Sequence, residues 1–95
     1  MNTTLKQAVN LIATLQPVKG NSLYSQNTDK FYTVYSYGAH FPLAAYDFDT
    51  KIWYLNTDKY SATTSKHQSI VRQALQGDER ILCNTAELQS LLRGN

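Results

Sequence analysis

The residues with the most chemistry to offer are gathered in one run, Lys59-Tyr60-Ser61-Ala62-Thr63-Thr64-Ser65-Lys66-His67-Gln68. Just downstream, Ile70, Val71, Ala74 and Leu75 recur at the spacing of one helix face. The run therefore predicts a helix start. Ser65 and Gln68 are spaced as a capping box, Thr64 is the rival N-cap, and Gly77 stands where a left-handed residue ends a helix. A helix start offers unpaired amides and about half a positive charge. On that basis Lys59, Thr63, Thr64, Ser65, Lys66 and Arg72 form a candidate anion- or partner-binding set, with phosphate the obvious biological anion. The competing reading is that hydroxyls before a helix are simply caps, worth about 1 kcal/mol. His67 falls on the apolar side and reads as a hydrogen-bonded structural histidine. Lys66 faces away from that side.

Aromatic residues make the second set. Seven tyrosines lie between Tyr24 and Tyr60, beside a single tryptophan. Tyr35, Tyr37, Tyr46, Trp53 and Tyr54 form a candidate docking face if the sheet leaves one side open. Otherwise they are half-buried sheet residues with wet hydroxyls.

Other constellations carry less. Asp47 and Asp49 alternate and could share a face, but such residues commonly build turns. His40, His67 and the single cysteine, Cys83, do not have the spacing of a metal site. No phosphate-cradling glycine loop and no nucleophile elbow is present. The residues thus favour a protein that is not an enzyme, with no metal or cofactor implied. Cys83 reads as a small core residue in a reducing compartment.

The elements that must hold these groups follow from periodicity. Leu5, Ala8, Val9, Ile12 and Leu15 give an amphipathic helix, capped by Thr4 with Gln7 and ended before Pro17. Residues 20–30 read as a polar connector in which Leu23 and Tyr24 are candidates for a short edge strand. Phe31–Tyr37, Phe41–Phe48 and Ile52–Leu55 read as three strands, turning at Gly38 and at Asp49-Thr50. After the central helix, Ile81-Leu82-Cys83 is a short strand or buried connector, and Asn84 or Thr85 caps a last short helix. The expectation is one α+β domain over residues 1–95: a three-stranded antiparallel meander with helices on one face, in the order α-β-β-β-α plus a short extension.

Tyr35-Ser36-Tyr37, followed by an apolar strand and then Lys59-Tyr60-Ser61-Ala62-Thr63-Thr64-Ser65-Lys66-His67, resembles a family of small uncharacterised domains of tailed phages and mobile elements. The likeness covers about Phe31 to Arg72. After Ser36-Tyr37, family members often carry Thr and then Ile or Val with Ala, where this chain has His40-Phe41-Pro42-Leu43-Ala44. The resemblance implies a phage origin and a cytoplasmic setting in an infected bacterium; it implies no activity.

Charge and hydropathy narrow the partners. A net charge of +2 argues against an acidic nucleic-acid mimic and is weak for a nucleic-acid binder. No apolar run approaches the roughly 18 residues of a membrane span, so no membrane partner is expected. Three functions remain: a binding protein that modulates a host protein or nucleoprotein complex, with anti-CRISPR inhibition as its concrete form; a direct nucleic-acid binder; and a phage structural or assembly protein.

Overall fold

The computed structural model describes residues 5–20, 22–37, 41–58 and 62–93, without the side chains of residues 5, 6 and 62–64. The chain runs α1 (Leu5–Ala13), β1 (Leu23–Asn27), β2 (Phe31–Ser36), β3 (Pro42–Asp47), β4 (Ile52–Asn56), α2 (Ala62–Ala74), β5 (Arg80–Cys83) and α3 (Thr85–Leu92). The fold is α+β, but the sheet is larger than three strands. Its five strands lie in the order β1-β2-β3-β4-β5. The first four pair antiparallel in sequence, and β5 joins β4 in parallel.

Local chemistry explains the meander. At the β1–β2 turn the Thr28 hydroxyl accepts from the Phe31 amide at 3.0 Å. At the β3–β4 turn Asp47 Oδ1 accepts from the amides of Asp49 and Thr50, at 2.8 and 3.3 Å. The Asp47 carboxylate is therefore turn chemistry, and Asp49 contributes its amide to it. Between β2 and β3 the register slips, because Val34 faces Ala44 while Tyr35 faces Pro42. Leu43 is thus an extra residue, a bulge that increases strand twist. A parallel neighbour cannot be reached by a hairpin; β5 reaches β4 through α2, which packs back against α1 and β3.

Both faces of the sheet are covered, which corrects the expected one-sided arrangement. On one face Ala8 and Ile12 of α1, with Ile70, Val71, Ala74 and Leu75 around α2, enclose Tyr32, Val34, Trp53 and Leu55. On the other, Leu88 of α3 sits on Phe31 and Ala45, with Tyr54 and Cys83 at the margin. The last helix is the lid of a second, smaller core. Asn84 caps it: its side chain accepts from the Glu87 amide, and the Glu87 carboxylate accepts from the Asn84 amide. Among the described residues no helix is long and apolar enough to cross a membrane.

The helix starts depart from the expectations. The expected Thr4 cap lies outside the described residues, as does the turn at Gly38. The α1 helix ends at Ala13, four residues before Pro17. The α2 helix begins at Ala62, a turn earlier than the proposed capping box. Ser65 is inside the helix, where its carbonyl accepts from the Ser69 hydroxyl at 3.2 Å. At the other end Gly77 does take the left-handed conformation, with φ 91°.

Candidate functional site

The parallel β4–α2–β5 unit creates the site. In such a unit one helix lies over two strands, and the strand ends beneath its start form a natural crevice. Here a groove of about 640 Å³ runs between α2 and the β5 edge. Leu55 of β4 and Leu82 of β5 supply its apolar floor, while Ser65, Ser69 and Arg72 line it from α2. Arg80 opens β5 and faces the same space. Among the described residues no acidic side chain lines it. Asp78 and Glu79, although adjacent in sequence, line a separate hollow of about 310 Å³ together with Lys51.

One end of the groove is locked by a buried polar network. Asn56 is fully buried and donates through Nδ2 to the Pro42 carbonyl at 2.8 Å and to the Thr85 hydroxyl at 2.9 Å. Its Oδ1 accepts from the Asp58 amide at 2.9 Å. Gln68 Nε2 donates to the carbonyls of Asn56 and Asp58. The expected box with Ser65 does not form, because Ser65 lies inside the helix and Gln68 reaches the crossover loop instead. The Asp58 carboxylate accepts from the Thr85 amide at 2.8 Å, and this contact holds its pKa below the ordinary carboxylate value. Thr57 donates its amide and its hydroxyl to the Cys83 carbonyl, at 2.8 and 3.1 Å. The crossover loop is thereby tied to β3, β5, α2 and the start of α3.

The proposed anion set divides. Ser65 and Arg72 line the groove. Lys66 is exposed and is not among the groove residues. Lys59 and the side chains of Thr63 and Thr64 lie outside the described residues. His67 is buried, shares a 2.8 Å hydrogen bond with Ser36 Oγ through Nδ1, and packs at 5.8 Å from the Tyr37 ring. Burial lowers its pKa. Ser36 is buried too.

The aromatic docking face does not exist as one surface. Strand register puts Tyr46 and Trp53 on the α1/α2 side, and Tyr35 and Tyr54 on the α3 side. Trp53 is only 3% exposed and contacts Tyr32 edge-on and Tyr46 at 5.3 Å. Tyr35 is buried and stacks on Tyr24, and burial followed by that neighbour raises its pKa. Only Tyr37 of the five is strongly exposed, at 58%, just past the end of β2 with φ 67°. Strand register divides the set between the two faces, and α3, packed on β3 and β4, covers Tyr54 on the face that would have been open.

No family model, curated protein or solved structure matches this chain. The site is therefore read from geometry alone. Among the described residues no three His, Cys, Asp or Glu side chains stand together as metal ligands. The groove offers two guanidinium groups, several hydroxyls and an apolar floor. Guanidinium planes bind carboxylate or phosphate through paired hydrogen bonds. Arg80 and Leu82 are not in the expected site set: Leu82 reads as part of a short strand or buried connector, and Arg80 as a residue ahead of it. The strand–helix–strand order held the signal, since it places the later strand parallel beside the earlier one.

Proposed function

We propose that this chain is a small, non-catalytic, phage-type binding protein that modulates a host nucleoprotein system, anti-CRISPR inhibition being the concrete form. The groove bearing Arg72 and Arg80, free of acidic lining among the described residues, carries this reading. It offers anion-binding groups and an apolar floor in one place, a combination suited to a partner that is part protein and part nucleic acid. The resemblance of the 59–67 segment to phage domains supplies the setting.

The test is capture of a defined CRISPR effector–guide complex on the immobilised chain, together with phage plating on a host defended by that effector. The native chain is expected to retain the complex and raise plating. Arg72→Glu combined with Arg80→Glu should abolish both while leaving circular dichroism unchanged, since both side chains are exposed. Undiminished capture by that variant would remove the groove from the reading.

Direct nucleic-acid binding is the second reading, favoured by the same two arginines with Lys66 exposed on α2. It requires affinity that weakens steeply with salt, by roughly 0.7–0.9 logarithmic units per phosphate contact per tenfold increase in salt. Gel shifts on single-stranded and duplex probes across a salt series measure this slope.

A further inference from the structure

We propose that the outer edge of β5 receives an extended acidic peptide of a partner protein as a sixth strand, its alternate side chains entering the groove. The inference deepens the groove reading by naming the chemistry of the partner segment, and it rests on that reading.

The ladder fixes which groups are free. Trp53 donates to the Glu79 carbonyl at 3.3 Å and Thr57 donates to the Cys83 carbonyl at 2.8 Å. In a parallel ladder alternate residues of one strand bond the same neighbour. Glu79, Ile81 and Cys83 therefore address β4. The amides and carbonyls of Arg80 and Leu82 point away from it. Because β5 ends the strand order, no strand among the described residues meets them.

The opposite edge is not equivalent. Beside β1, the Val18 carbonyl accepts from the Ser25 amide at 3.0 Å, the Val18 amide donates to the Ser25 hydroxyl at 2.7 Å, and Lys19 bridges to Tyr24. The chain thus covers its own first strand. Exposed edges are usually blunted by charge, proline or a bulge. Strand β5 is short and carries one charge, Arg80, but it has no proline or bulge, keeps an even register and presents Ile81 and Leu82 at 45% and 63% exposure.

Charge selects the occupant. Arg80 and Leu82 share the groove face of β5, and Arg72 lines the wall beside them. A strand laid along β5 brings every second side chain over that face, so carboxylates alternating with apolar residues match it. A phosphodiester backbone has acceptors but no amide donors, and it leaves the two outward carbonyls unpaired. A second copy of β5 contains no carboxylate, so it offers the two guanidinium groups no partner.

Short synthetic peptides alternating Glu and Val are the probe, titrated into the ¹⁵N-labelled full chain. The result expected is selective shift and slowed exchange of the Arg80 and Leu82 amides. N-methylation of alternate peptide amides, or Lys in place of Glu, should weaken binding by at least about tenfold. Arg80→Glu should reverse the preference toward the Lys peptide. Equal binding of the N-methylated peptide overturns the proposal, as does a single-stranded DNA oligonucleotide shifting these residues when no peptide does. Concentration-dependent self-association protecting the same amides also overturns it. If peptides fail while the double arginine variant still loses the captured complex, strand addition falls and the groove reading stands. If both fail, the groove itself is wrong.

Discussion

His67 shows how a single side chain ties stability to acidity. Its buried ring, bonded to Ser36, titrates below its ordinary value of 6.5. The unfolded chain therefore takes up the proton first as pH falls. Stability from this group is level above about pH 6.5 and declines below it, until the folded ring is protonated as well. Urea midpoints measured between about pH 7 and pH 5 should drop, and His67→Gln should flatten part of that drop. Cys83 behaves in the opposite sense. Burial, then the carboxylates of Glu87 and Asp58, push its thiol from 9.0 up to about 11. At neutral pH its thiolate population falls by about 100-fold, so iodoacetamide should label the native protein about 100-fold more slowly than the urea-unfolded chain. Comparable rates would contradict the placement of this residue under α3. Asn56 is the polar counterpart: Asn56→Ala leaves the Pro42 carbonyl and the Thr85 hydroxyl without their donor. A loss of about 1–3 kcal/mol in chemical denaturation is expected.

At the scale of the elements, the meander and the last helix with its Asn84 cap were legible, and the parallel pairing of β5 was not. Strand β2 announces itself through alternation, and β3 and β4 as apolar runs on either side of the Asp-Phe-Asp-Thr turn. Strand β1 is half polar and lies at one end of the strand order, so only Leu23 and Tyr24 of it read as a short edge strand within a polar connector. Strand β5 is exposed along three of its four residues and carries little apolar alternation. The capping box at Ser65 and Gln68 matched a pattern, yet Gln68 finds two backbone carbonyls in the crossover loop. Of the candidate site, Ser65 and Arg72 were visible, whereas Arg80 depended on a parallel pairing that no local signal encodes. Helix α3 provides the sharpest test at this scale. Leu88 is its one fully buried residue and packs on Phe31 and Ala45. Leu88→Ala should cost about 2–5 kcal/mol, despite lying in an eight-residue helix near the end of the chain.

The whole molecule is a single sheet shared by two cores, so neither layer has a sheet of its own. Unfolding followed by Trp53 fluorescence, which reports the α1/α2 face, and by far-ultraviolet dichroism should give coincident midpoints. Separated midpoints would mean that α3 detaches independently. The parallel arrival of β5 carries a kinetic consequence. Consecutive hairpins bring β1 through β4 together by closing short loops, whereas β5 needs α2 placed first and then a return over the length of that helix. Contacts separated further along the chain cost more loop-closure entropy to make. The fourth strand is thus the nascent sheet's temporary border, and the last strand relieves it by becoming a border itself.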